Sequence, residues 1–489
     1  MKEGKMIDVR NFGARGDGVT LDTIAIQKAL NVCDLAGGGE VYFPAGRYLT
    51  GTLVIPSNTT VNISSGATLL GSPSINDYIR EPEGRDGDQT GYHLLRIRRA
   101  HHVRVVGGGT IDGQGAAFWD TPENPIDGKF PWRGYYLAKS AMDERPSPMV
   151  DIYASKDVRI EDVTLTQSAG WALNMALSRW VWVRGVKILN PMNGPNTDGI
   201  DIQGCQDVII SDCHIENGDD SIVMFTLPHS GPCERIAVNN CIISTRCVAV
   251  KFYTGNRYPF CQVTVNNVVV YNSERAFGVY LSNGAQLEDI VCSNFVVHGG
   301  STPPNFSERL IHIDIRDPYA YWKNRETYLR DPHVMISEVE NEPTPEDVRR
   351  LAEEGSISGL TFSNWTLRSK GRIIVGGQEQ APVRNLIMEN IQMFVTGNQD
   401  LSRFVQPTPS TGQWNHDLPH LRTVPAHVIL HGVHGGILSN LNIVNASKEP
   451  LAEMHGFWLE KSKDIQMDRF RCYPLRPGMD IVHQAEATE

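Results

Sequence analysis

VRIEDVTL at residues 158–165 recurs along the chain in changed letters but one pattern. The copies are VWVRGVKI (181–188), VIISDCHI (208–215), IAVNNCII (236–243), VTVNNVVV (263–270) and IVCSNFVV (290–297). Their first residues, 158, 181, 208, 236, 263 and 290, are separated by 23, 27, 28, 27 and 27 positions. Weaker copies follow near 357–367, 383–393, 437–443 and 465–472. Alternating apolar residues mark each copy as a strand. A Rossmann array would place helical segments of about 10–15 residues between strands, and a propeller blade needs about 40 residues per unit. Short strands at this spacing suit an all-β, right-handed parallel β-helix, in which each coil stacks on the last at roughly 4.8 Å.

Outward from the repeat, Asp22 is expected to N-cap a helix over about Thr23–Leu35, with Ile24 and Leu30 on one face and Gly37-Gly38-Gly39 stopping it. Short strands follow: VYFP, LVIP, TVNI and ATLLG. One amphipathic helix ahead of many strands plugs a solenoid end against edge pairing. The expected organisation is a single β-helix domain over 1–489, with the cap and first coils at about 1–75. Two stretches break the period: 301–356, with a short helix expected at PEDVRRLAEEG, and 396–425, polar and carrying Trp414, His416 and His420. Loops this long tend to be functional, and at least one is expected to wall a cleft.

The net charge of −11 over 489 residues argues against a nucleic-acid partner. Nine cysteines are scattered without CxxC spacing, so no metal centre is expected. Cys213, Cys241 and Cys292 occupy apolar strand positions, as reduced core thiols do. The first residues, MKEGKMIDVRNFG, lack an apolar leader core, and no stretch approaches about 20 apolar residues, so no membrane partner is expected, and the location is expected to be cytoplasmic, or secreted or periplasmic if a signal was removed.

The stretch GPNTDGIDIQGCQDVIISDCHIENGDDSIVM (194–224) gathers Asp198, Asp201, Asp219 and Asp220 in two clusters, each ahead of an alternating apolar strand. Ile200 and Ile202 align with Ile222 and Met224, then Val248 and Val250, then Val279 and Leu281. The intervening side chains then form three outward columns: Asp198, Asp220, Arg246, Phe277; Asp201, Val223, Ala249, Tyr280; and Gln203, Phe225, Lys251, Ser282. Carboxylates so close push one pKa up, which supplies a proton donor at neutral pH. Paired carboxylates on a rigid scaffold are what glycoside hydrolysis requires. A salt-bridge ladder from Asp220 to Arg246, or a calcium site built from the four acids, fits the same letters.

At these residues the chain resembles glycoside hydrolase family 28, the polygalacturonases and their relatives. The likeness runs through NFGARGDGVTLDTIAIQKAL, VYFPAGRY, GGGTIDGQGAAFWD, RPSPMVDIYASKDVRIEDVTLTQSAGW, GPNTDGIDI and GDDSIVM, about the first 300 residues. The resemblance implies inverting hydrolysis without a cofactor, with Asp219 as general acid and Asp198 and Asp220 holding and deprotonating water. It implies a pectic carbohydrate partner touching Asn196, Asp201, Arg246, Lys251, Tyr280 and Ser282. The family's GHG motif falls at Thr245-Arg246-Cys247 and its RIK motif at Tyr280-Leu281-Ser282, so the cleft His and both basic residues of RIK are replaced. Arg246 and Lys251 can supply a carboxylate clamp instead, or Tyr280 and Phe277 stack on a neutral sugar. Exo-action is favoured if the insertions close one end of the cleft. A polysaccharide lyase and a non-catalytic carbohydrate-binding β-helix are the alternatives. Trp171, Trp180, Trp182 and Trp365 are expected mostly to pack, Asp112 to be structural, and Trp119 to approach the cleft.

Overall fold

Each octapeptide of the repeat bends at its fifth residue. Asp162, Gly185, Asp212, Asn240, Asn267 and Asn294 all lie in the left-handed region, with φ between 54° and 63°. Asn, Asp and Gly tolerate that region best, which is why these types recur there. The bend lets the strand follow the corner of a coil while its apolar residues keep pointing inward. In the computed structural model, residues 6–81, 89–120, 137–138, 144–226, 230–254, 258–281, 284–302, 305–306, 309–315, 355–398, 401, 421, 423–450, 452–473 and 475–485 are described. Ser282, PEDVRRLAEEG up to its last residue, Trp414, His416 and His420 lie outside them, as does most of both expected insertions.

The described residues fall into two compact units, 6–223 with 235–242, and 224–234 with 243–485. Each is built of parallel strands, and the fold is the expected right-handed parallel β-helix. In the first unit, Val103, Val158, Val181 and Val208 sit in register on successive strands, all fully buried. A second ladder runs through Leu53–Val54, Leu95–Arg98, Val150–Tyr153, Leu173–Ala176 and Ile200–Gln203. In the second unit the bent strands are longer: Phe260–Ser273, Gln286–Gly299, Ser356–Ser369, Val383–Val395, Val433–Asn445 and Lys463–Tyr473. Their corners are tied by an amide ladder in which Asn294, Asn364, Asn390 and Asn440 each donate to the Asn of the preceding coil at 2.8–3.1 Å.

The helix spans Thr23–Leu35 as expected. Asp22 makes no capping bond to it; its carboxylate instead accepts from the N–H groups of Arg15 and Gly16 at 2.8 and 2.9 Å. Ile24 is exposed, because residues six apart lie on different sides of a helix; Ile26, Ala29, Leu30 and Cys33 are the buried set. Gln27 shows how the helix shields a strand edge. Its side-chain amide donates to the Val54 carbonyl at 3.0 Å and accepts from the Val54 N–H at 2.9 Å, occupying both groups that an incoming strand would pair with. None of the nine cysteines forms a disulfide, and Cys213, Cys241 and Cys292 are buried. Among the described residues no helix is long and apolar enough to cross a membrane.

Candidate active site

The acids of the first unit are held by bonds to their backbone. Gly199 N–H donates to the Asp220 carbonyl at 2.9 Å and Ile200 N–H to that of Ser221 at 2.7 Å, which sets Asp198 level with Asp220 on the neighbouring strand. Asn217, fully buried, donates to the carbonyls of Thr197, Asp219 and Asp220 at 3.1, 2.7 and 2.8 Å, while its Oδ1 accepts from Ser221 Oγ at 2.5 Å. Thr197 Oγ1 donates to the Gly194 carbonyl and accepts from Gly218 N–H, both at 3.1 Å. A Cβ at Gly218 would lie 2.5 Å from the Gly194 carbonyl, so only glycine lets the two turns approach so closely.

The result is a tight set of carboxyl groups. Asp198, Asp201, Asp219 and Asp220 are all buried, none more than 8% exposed. Carboxylate oxygens of Asp219 and Asp220 lie within 4.8 Å of each other, and the Asp219 side chain accepts from Asp220 N–H at 3.0 Å. Asp201 faces Asn174 in register, and Asn174 faces Asp151. Asn196 takes a left-handed φ of 49°, and its Oδ1 accepts from Arg145 Nη2 at 3.3 Å.

Two residues behind these turns support them. Arg145, wholly buried, donates through Nη1 to the carbonyls of Ala169 and Pro195, both at 3.0 Å. Trp119 Nε1 donates to the same Ala169 carbonyl at 2.8 Å, and a Cβ on Gly194 would lie 3.1 Å from its ring. Trp119 thus packs against the acid-bearing turn at Gly194. Arg145 opens the RPSPMV stretch but was given no role from sequence, since its partners lie 24, 50 and 51 positions away. Asp112 is structural, accepting from Gln114 N–H at 2.9 Å. Trp365 packs on Phe295 at 4.0 Å between centroids.

The second unit carries the other expected residues in a different arrangement. Arg246, Lys251 and Tyr280 are buried, at 5%, 8% and 0% exposure. The expected columns are wrong there: Val250 pairs with Phe277, Lys251 with Gly278 and Tyr253 with Tyr280. The strand begins at Arg275, earlier than the sequence alignment allowed, so the true offset is 27 residues and not 31. Phe277 therefore shares the inward face with Val279 and Leu281 and packs on Phe252 and Phe362 at 5.7 and 5.1 Å; it is core, not a sugar platform. Tyr280 Oη accepts from Arg275 Nη1 at 2.6 Å and lies 3.3 Å from His312 Nδ1, which is 3.2 Å from Arg309 Nη1. The Lys251 ammonium stands 5.1 Å from the Tyr253 ring centre and 6.0 Å from that of Tyr280. Arg275, His312 and Arg309 join the expected residues only through this register.

Residues 39–228 match the model of glycosyl hydrolases family 28. The chain is 29% identical over 300 residues to a probable polygalacturonase of Vitis vinifera, covering 57% of this chain and 58% of that one. It is 28% identical over 258 residues to an exo-poly-alpha-D-galacturonosidase of Dickeya chrysanthemi, covering 45% and 41%. The matched segments thus span less than two thirds of either relative. In fold it is similar to a Family 28 exopolygalacturonase of Yersinia enterocolitica, with a TM-score of 0.64 at 17% identity over 94% of this chain and 78% of that one. The segment similar to glycosyl hydrolases family 28, residues 39–228, contains both the NTDG and the GDD turn of the parallel β-helix.

Proposed function

We propose that this chain is a glycosidase that cleaves O-glycosidic bonds of a pectic or related oligo- or polysaccharide, polygalacturonase-like, inverting and exo-acting. The observation that carries the proposal is the buried set Asp198, Asp219 and Asp220, fixed through Asn217 and Thr197. Asp219 is the general acid: its proton passes to the glycosidic oxygen as the bond to the anomeric carbon breaks and the electron pair leaves with that oxygen. Asp198 and Asp220 hold a water on the opposite face and take its proton as it attacks. One displacement inverts the anomeric centre. An acid and a base poised this way each contribute about 10²–10⁴-fold.

Arg246, Lys251 and Tyr280 are proposed to select the sugar. A guanidinium and an ammonium suit a carboxylate-bearing residue, Arg by two parallel hydrogen bonds. The names of the relatives, a polygalacturonase and an exo-poly-alpha-D-galacturonosidase, support a galacturonate-containing substrate and action from a chain end. The test is hydrolysis of homogalacturonan and rhamnogalacturonan oligosaccharides, with the anomeric configuration followed by NMR. The expected result is an inverted product released one terminal unit at a time, and hydrolysis slowed by about 10²–10⁴-fold in Asp219→Asn. Full activity in Asp219→Asn sinks the assignment, and an unsaturated, ultraviolet-absorbing product identifies a lyase.

A further inference from the structure

A second polar cluster in the first unit takes no part in the chemistry proposed for the acids. It centres on Asp151, which is fully buried on the strand Val150–Tyr153. Arg98 Nε donates to Asp151 Oδ2 at 2.7 Å and Asn174 Nδ2 to Oδ1 at 3.1 Å, while His93 Nε2 stands 3.7 Å from Oδ2. His93 is 1% exposed, Asn174 0% and the Arg98 side chain 7%. Yet Nη1 and Nη2 of Arg98, Nε2 of His93 and Oδ1 of Asn174 have no hydrogen-bond partner in the protein. Buried polar atoms are almost always paired, so four gathered around one carboxylate call for an explanation.

His93 narrows what fits. Its Nδ1 lies 2.9 Å from the Pro148 carbonyl, which only accepts, so Nδ1 carries the ring proton. Burial lowers the pKa of His93, which leaves Nε2 with a bare lone pair facing another acceptor, Asp151 Oδ2. A donor that both can share resolves the conflict, and a hydroxyl is such a donor. The guanidinium of Arg98, held 4.3 Å over the Tyr153 ring, offers its two terminal nitrogens to a hydroxyl oxygen, and Asn174 Oδ1 accepts another O–H. Charge argues in the same direction. Arg96 and Arg98 stand against Glu81, 3.9 Å from each, and against Asp151, so the cluster is balanced without an anion. Mixed donors and acceptors with no net charge match the hydroxyl face of a sugar and not its carboxylate.

Position links the cluster to the acids. Asp151, Asn174 and Asp201 occupy one register on three consecutive strands, so Asp151 lies roughly 10 Å from Asp201 at the usual strand spacing. We propose that His93, Arg98 and Asn174, with Asp151 as the residue that positions them, form a subsite for the hydroxyls of a sugar unit remote from the bond being cleaved. The ligand class rests on the function proposed above.

Calorimetric titration of the Asp219→Asn protein with galacturonate, digalacturonate, trigalacturonate and tetragalacturonate tests this without requiring turnover. Affinity is expected to rise with length, and adding Asn174→Ala is expected to weaken the longest ligand by about 10- to 100-fold, as for hydrogen bonds of charged or buried partners, while leaving the shortest unchanged. Arg98→Lys serves as a second variant, with the same split expected, should Asn174→Ala lose its cooperative melt. Equal weakening at every length assigns the cluster a structural role, and no weakening means that it holds only water; either overturns the proposal, as does a parent protein that binds none of the four. The variant-to-parent ratio is expected to persist on methyl-esterified ligands, and a ratio that falls to one overturns the hydroxyl assignment. Length-dependent binding in a wild type that hydrolyses nothing removes the hydrolase and leaves the subsite standing.

Discussion

The two units build their polar rows on the same kind of strand and hold them in opposite ways. In the first, the side chains proposed to act are acids, and the turns bearing them are fixed by bonds to backbone carbonyls, from Asn217, Thr197, Arg145 and Trp119. In the second, the row is cationic and aromatic, and its described contacts join side chain to side chain, from Arg275 to Tyr280 to His312 to Arg309. Backbone anchoring fixes where an atom lies. A chain of side-chain contacts can shift by a rotamer at modest cost. Proton transfer needs the first kind of precision, since small misplacements cost large factors in rate; selecting a sugar tolerates the second.

The sharpest test of this contrast is Asp219→Asn, expected to lower kcat by about 10²–10⁴-fold with the melting temperature preserved, measured by reducing-sugar release beside thermal denaturation. Next comes Asn217→Ala. It removes the donor shared by three buried carbonyls and is expected to cost about 3 kcal/mol or more of stability as well as most of kcat. Normal turnover and an unchanged urea midpoint in that variant would break the comparison on its first side.

The second unit has a titration of its own. His427 is buried, and burial, with help from the Arg372 charge, lowers its pKa to about 4. An unfolded histidine titrates near 6.5, so the unfolded chain binds more protons between these values. Stability is therefore complete above about pH 6.5, falls as the pH drops toward 4 and levels off below, a loss of about 3 kcal/mol from this group. Denaturant melts at several pH values are expected to show the loss, and His427→Gln to flatten it.

Smaller effects are expected at Tyr280. Its ring covers Gly278, where a Cβ would come within 2.9 Å of a ring carbon. Gly278→Ala should push the ring aside and raise KM severalfold with kcat nearly unchanged. Tyr280→Phe, which removes only the hydroxyl bonded to Arg275, should cost about 2 kcal/mol of stability and shift KM less. A fall in kcat without a change in KM in either variant would place Tyr280 with the chemistry and erase the distinction between the two rows.

How far the sequence reaches is visible in particular residues. The period of the octapeptides and their alternation are local, so the β-helix and the inward residues Val158, Val181 and Val208 follow from the letters, and so does the shared level of Asp198 and Asp220. The bend at the fifth residue was present in the letters as Asp, Gly, Asp, Asn, Asn, Asn, and becomes meaningful once its φ is known. In the first unit the strand Ile200–Gln203 begins directly after Gly199, and the register read from the letters is the one observed. Where the strand at Arg275–Leu281 starts four residues before the place that apolar matching suggests, the columns slip and Phe277 changes sides.

Sequence alone therefore determined the fold and the placement of the acids, because both rest on periodicity and on neighbours a few positions apart. Tertiary structure decided the rest. Arg145 joins Asn196 across 51 positions, Gln89 joins Gln203 across 114, and Asp151 gathers Arg98 and Asn174 from the strands on either side. Such pairings depend on which residue of one coil lies level with which residue of the next. That is set by where each strand begins, and strand starts are fixed by the turns and packing of the whole coil, not by the residues that meet.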